Sequence, residues 1–203
     1  HKKLSEIDRN LLDSLAKKKE EEKVAPATVN RMLEIVRAIL NKAANDWGWI
    51  EKAPKIPMRY EGEARERWLT KEEANQLLKE LPAHLGDIAA FSLSTGLRKA
   101  NVLGLRWKQV DLVKRHAFVS ASQSKTRRAI PVPLNEEAVE VIRRQRGKHF
   151  EYVFTYKGKP IKRCNTPAWR KALKRVGIED FRWHDLRHTW ASWHVQNGTS
   201  LYE

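Results

Sequence analysis

Cysteine is nearly missing from this 203-residue chain, with Cys164 standing alone. A single cysteine closes no intrachain disulfide and offers no pair for a zinc knuckle, so Cys164 reads as a small buried or half-buried residue. Long apolar runs are missing too. Nothing approaches the roughly 20 uncharged apolar residues that cross a bilayer, and His1-Lys2-Lys3-Leu4-Ser5 holds no apolar block of the signal-peptide kind. The expectation is a folded, cytoplasmic chain with no membrane partner. There is no internal repeat, Gly-rich phosphate loop, Walker pattern or acidic metal cluster, so neither a nucleotide nor a metal cofactor is expected.

Acid is also scarce: 25 Asp and Glu stand against 40 Lys and Arg, a net charge of +15. The excess is uneven. Residues 1–62 carry 13 basic and 10 acidic side chains, whereas residues 63–203 carry 27 and 15. A field concentrated in this way favours a polyanion, because each neutralised phosphate releases condensed counterions. Nucleic acid is the leading partner class, ahead of a ribosomal role or a membrane surface. With 41% of its residues hydrophobic, the chain can bury one sizeable core or two smaller ones.

Residues 27–47 repeat apolar side chains at helical spacing (Val29, Met32, Leu33, Val36, Ile39, Leu40, Ala43), with Pro26 suited to a first turn. Ile7, Leu11, Leu12 and Leu15 mark an earlier helical face that runs into the charged block 17–23, read as an exposed loop. Two such helices make a thin unit, as a fragment of a larger bundle would. Residues 53–67 hold Pro54, Pro57 and Gly62 without periodicity and read as a linker, giving a helical domain 1–53, a linker 54–67 and a second domain 68–203.

In the second domain Thr70-Lys71-Glu72-Glu73 is a capping box that starts a helix through Leu77, Leu78 and Leu81. A further apolar stretch, 85–97, should stop where Gly96 turns left-handed, which puts Arg98 on a turn. Residues 116–121 and 129–132 predict two strands joined by the polar segment 122–128, a basic hairpin. Helices are predicted over 136–146, over 166–176 with Gly177 as stop, and over 184–196 with Gly198 as stop. The fold class is mainly α with a small antiparallel β-sheet.

The densest cluster of chemistry is His184-Asp185-Leu186-Arg187-His188, where His184 and Arg187 share a helical face. Imidazole beside guanidinium suits a tetrahedral anion such as a phosphodiester, since Arg presents a planar fork of donors. Taken alone, a core histidine and a surface arginine explain the pattern as well. A zinc reading also exists, because His184, His188 and His194 stand at the 0, 4, 10 spacing of one zinc-peptidase class. That motif needs a Glu and a Gly where this chain has Asp185 and Ala191, and on an unbroken helix His194 lies about 15 Å along the axis from His184.

Three segments occur in order: Thr95-Gly96-Leu97-Arg98-Lys99-Ala100-Asn101-Val102-Leu103-Gly104-Leu105-Arg106-Trp107, then the basic hairpin, then His184-Asp185-Leu186-Arg187-His188-Thr189. Together they resemble the tyrosine recombinase, or phage integrase, family. The resemblance implies the family's catalytic fold, preceded by part of a helical core-binding domain. It implies that Arg98 and Arg187 clamp the scissile phosphate, that His184 hydrogen-bonds the same group, and that Lys125 protonates the departing 5′-oxygen. It marks Arg31, Lys99, Arg127 and Arg128 as DNA contacts.

The implied activity is site-specific recombination of double-stranded DNA through a 3′-phosphotyrosyl intermediate, without metal or other cofactor. The implied setting is a bacterial or phage-encoded, nucleoid-associated protein, monomeric alone and tetrameric on DNA. Two positions depart from the family pattern: Asn101 replaces a usual acidic residue, and Gln109 stands where aspartate is usual. The chain ends 16 residues after Arg187, and Tyr202 reads as a packing residue. The expectation is therefore DNA binding without cleavage. A non-catalytic DNA-binding relative and, further off, a zinc-dependent hydrolase remain as alternatives.

Overall fold

The computed structural model describes residues 3–63, 65–124 and 127–200, and the chain divides into two compact units, His1–Arg65 and Glu66–Glu203. The first unit is two helices, α1 (Arg9–Glu21) and α2 (Pro26–Asn45). Asp8 caps α1 by accepting the Leu11 N–H at 2.8 Å, and Pro26 opens α2. The charged block predicted as a loop instead continues α1 through Glu21. Lys and Glu are strong helix formers, and the pairs Lys17–Asp13 (3.0 Å) and Lys19–Glu22 (2.7 Å) lie along the helix surface.

Leu12, Ala16, Val29, Leu33 and Leu40 form the core of this unit together with Ile56, which comes from the segment read as a linker. That segment is strapped down. Asn30 donates to the Arg59 carbonyl and accepts its N–H, while the Arg59 side chain reaches Asp13 at 2.9 Å and Glu20 at 2.6 Å. Proline marked the absence of helix correctly, but a prolyl segment can still pack when apolar and polar partners await it.

In the second unit, α3 (Lys71–Glu80) starts on the predicted capping box, with Thr70 Oγ accepting the Glu73 N–H and the Glu73 carboxylate accepting the Thr70 N–H. Next come α4 (Ala83–Thr95), stopped by Gly96 at φ +60°, and the short α5 (Lys99–Leu103). A three-stranded antiparallel sheet runs in the order β1 (Val110–Asp111), β2 (His116–Val119), β3 (Ile130–Pro133). The β2–β3 register sets Ala117 opposite Val132 and Phe118 opposite Pro131.

Helix α6 (Glu136–Arg143), the hairpin β4 (Thr155–Tyr156) and β5 (Lys159–Pro160), α7 (Pro167–Arg175) and α8 (Asp185–Gln196) complete the unit. One apolar cluster of 31 buried residues unites helices and sheet, with Phe91, Phe154 and Trp169 among its largest side chains. The architecture is mainly helical with small antiparallel sheets. Among the described residues, no helix is long and apolar enough to cross a membrane.

Candidate functional site

The site forms where the end of α4, the start of α5 and the start of α8 meet. Gly96 supplies the left-handed residue that α4 needs to end, and the chain reverses so that Arg98, in extended conformation, caps the next helix. The Asn101 N–H donates to the Arg98 carbonyl at 2.8 Å, and Asn101 itself is buried. Arg98 and Lys99 are exposed.

His184 is the residue just before α8, and Arg187 lies in its first turn. Buried Asp185 fixes that start by accepting the Arg182 N–H at 2.7 Å. One turn on, buried Thr189 accepts the Leu69 N–H at 3.1 Å and donates to the Asp185 carbonyl. Arg187 is half-buried and donates through Nη1 to the Gly96 carbonyl, two residues before Arg98. The pair predicted from motifs 89 positions apart thus hangs on a single turn.

Electrostatics report the same proximity. Burial, and then the charge of Arg98, lower the proton affinity of Arg187 below the ordinary guanidinium value. Burial also lowers that of His184, helped by the charges of His188, Arg187 and Arg98 and opposed by Asp185. His188 stands edge-on to His184, with ring centroids 5.1 Å apart. Among the described residues no carboxylate forms an ion pair with Arg98 or Arg187, and a guanidinium offers the planar fork that fits phosphate oxygens.

Among the described residues, Arg98, Lys99, Arg127 and Arg128 form no ion pair, in contrast to Arg106, Arg115, Arg143, Arg144 and Arg175. Arg127 and Arg128 are exposed just before β3, with Arg127 at φ +53°. The connection leading to them is anchored by Gln123, which accepts from Gln109 at 2.9 Å and from Ser120, and reaches the Gly104 carbonyl at the end of α5. Gln109 holds this region together. It is buried, accepts the Arg106 N–H and also donates to the Phe118 carbonyl, tying β2 to the turn before β1.

Lys125 lies outside the described residues, as does Tyr202. Arg31 belongs to the first unit, where it is exposed and paired with Glu34 at 3.0 Å. Helix α8 runs unbroken from Asp185 to Gln196, so His194 cannot join His184 and His188 around one metal. Sequence reasoning missed the Gly96 carbonyl as the holder of Arg187 and the seat of Trp190 on the same glycine. Only the identity of Gly96 and the three-residue step from Arg187 to Trp190 hinted at them.

Fold and site together define a mainly helical domain in which an arginine pair and a histidine lie close to one turn. Residues 67–203 match the model of the phage integrase family. Over 190 residues the chain is 42% identical to the integrase of Salmonella phage P22, covering 87% of this chain and 49% of that protein. Over 166 residues it is 31% identical to a shufflon-specific DNA recombinase of Escherichia coli, covering 79% and 42%. Its fold is similar to that of the Tn1549 transposon integrase solved in complex with circular intermediate DNA, at a TM-score of 0.78 and 17% identity over 98% of this chain and 76% of that one. The chain belongs to the phage integrase family. It spans about half the length of the relatives it matches.

Proposed function

We propose that residues 66–203 form the phosphate-binding catalytic domain of a site-specific DNA recombinase, in which Arg98 and Arg187 grip one phosphodiester and His184 hydrogen-bonds it. The observation that carries this reading is the convergence of Arg98, His184 and Arg187 on the Gly96 turn, with no carboxylate paired to Arg98 among the described residues. Two guanidinium groups on one phosphate stabilise the charge that builds on its oxygens in a pentacoordinate transition state.

In the full reaction a tyrosine oxygen bonds to phosphorus and the bond to the 5′-oxygen breaks. Lys125, assigned by resemblance, supplies the proton to the leaving oxygen. The phosphotyrosyl link conserves the bond energy, so neither ATP nor metal is called for. Residues 1–53 then correspond to part of a core-binding domain, with Arg31 against DNA, while Lys99, Arg127 and Arg128 hold backbone phosphates. The compartment is that of bacterial or phage DNA, and the unbound chain is a monomer that assembles as a tetramer on DNA.

Tyr152 accepts from Arg106 and Tyr156 stacks on His84, so both tyrosines of the described catalytic unit are engaged away from the arginine pair. We infer that the 203-residue polypeptide binds duplex DNA without joining it covalently. The test pairs two measurements. Arg98→Ala and Arg187→Ala should each weaken duplex binding and reduce the slope of log affinity against log salt by about 0.9 for each phosphate no longer neutralised. Incubation with nicked duplex should give no covalent adduct. Unchanged salt slopes in both variants would falsify the phosphate-clamp reading, and an adduct would overturn the assignment of the tyrosines.

A further inference from the structure

Two guanidinium groups held side by side repel until an anion arrives, so the resting protein needs a device that keeps Arg187 in place. Arg187 finds one neutralising dipole, the Gly96 carbonyl. Trp190, one turn beyond Arg187 on α8, lies against the same glycine. A Cβ added at Gly96 would overlap the indole carbons Cδ2, Cε3 and Cε2. The far side of the arrangement is backed by His194, whose ring centroid is 4.6 Å from that of Trp190. Trp169 and Trp183 belong to the main apolar cluster and Trp107 and Trp193 pack on it, but Trp190 does neither.

We propose that Trp190 is a positioning residue: its indole, seated on Gly96, sets the register of α8 against the turn between α4 and α5 and so holds Arg187 on the Gly96 carbonyl beside Arg98 before any phosphate binds. The proposal rests on the reading of the pair as a phosphate clamp. It gives Gly96 two separate requirements, a left-handed backbone and the absence of a side chain on the face that Trp190 covers. Held from both sides, the turn carries one arginine in its own sequence and receives the other as a hydrogen-bond donor. Preorganisation of this kind matters because a small misplacement of a charged donor forfeits most of what it offers a transition state.

The test uses the full 203-residue chain and a nonspecific DNA duplex. The Arg187 side-chain signal in a proton–nitrogen correlation spectrum is identified by its loss in Arg187→Lys. In the parent chain that signal should exchange slowly with water; in Trp190→Leu it should exchange fast, and duplex affinity should fall about tenfold, the worth of one hydrogen bond to a charged group. Trp190→Phe, which keeps a flat ring over Gly96, should restore both to near the parent values.

Gly96→Ala should also cost about tenfold, and Gly96→Ala with Trp190→Leu no more than the worse single change, because both act through one contact. A slow Arg187 signal and undiminished affinity in Trp190→Leu overturn the proposal, as do losses that multiply to about a hundredfold. If Arg187→Lys itself leaves affinity unchanged, the phosphate-clamp reading fails, and the exchange rate in Trp190→Leu still decides whether Trp190 positions the arginine.

Discussion

His184 sits in a neighbourhood of cations, and its proton affinity reflects them. Burial comes first, followed by His188, Arg187 and Arg98, and together they outweigh Asp185 and hold the imidazole below its ordinary 6.5. The sign for folding follows from linkage. The unfolded chain takes up a proton near pH 6.5 that the folded chain resists, so the stability from neutral His184 is complete above that value and declines as pH falls through the window below it. A nuclear magnetic resonance titration should place the His184 midpoint below 6.5, and His188→Ala should move it upward. A midpoint that ignores His188→Ala would show that the edge-on ring exerts no charge on its neighbour. Cys164, which burial pushes up to about 11, should stay unreactive toward alkylating reagents at neutral pH until the fold opens. At this scale the sequence was informative where chemistry is local. Arg98, His184 and Arg187 were legible from their motifs, whereas the bond from Arg187 to Gly96 spans 91 positions and leaves no local trace.

Helix ends were the most legible elements, because caps are written in neighbouring residues. Thr70 and Glu73 form the reciprocal pair their spacing announced, and Gly96, Gly177 and Gly198 all take positive φ at the stops predicted for them. Thr70→Ala should cost about 1 kcal/mol and lower the melting temperature by roughly 2–4 °C. The same box adds a pH dependence. A hydrogen bond from Arg67, reinforced by the Thr70 N–H, holds the Glu73 carboxyl below its usual 4.5, against the effect of burial. That contribution is present above pH 4.5 and is lost as pH falls through the depressed value, so Glu73→Gln should flatten the acid limb of a thermal-stability profile. Other elements escaped the sequence. The charges at 17–21 signalled solvent rather than loop, and solvent-facing helix looks the same. The β4–β5 hairpin turns on Lys157 and Gly158, both at positive φ, but two residues per strand are too few to show alternation.

Over the whole molecule the two units differ in how much they bury. Glu66–Glu203 holds a 31-residue apolar cluster, while the first unit rests on a six-residue apolar cluster and the polar strap around Arg59. A polypeptide of residues 66–203 should therefore melt cooperatively by itself, and one of residues 1–65 should not, as circular dichroism against temperature would report. Cooperative melting of the smaller piece would mean that the strap stabilises more than its apolar area suggests. The charge imbalance, +12 of the +15 lying after residue 62, was readable from composition. Composition could not show that several of those arginines are already paired within the fold while Arg98, Arg127 and Arg128 pair with none of the described residues.

The three-stranded sheet ends at β3 in a rim that resists further pairing. The Leu134 N–H points back to the Arg115 carbonyl, and by the alternation of an antiparallel ladder Ile130 and Val132 point the same way, toward β2. Pro131 and Pro133 therefore occupy the outward positions of β3, where neither has an N–H to offer. A strand approaching that rim meets carbonyls with no alternating donors and cannot extend the ladder. Copies that meet at that rim are thus kept from joining their sheets through it.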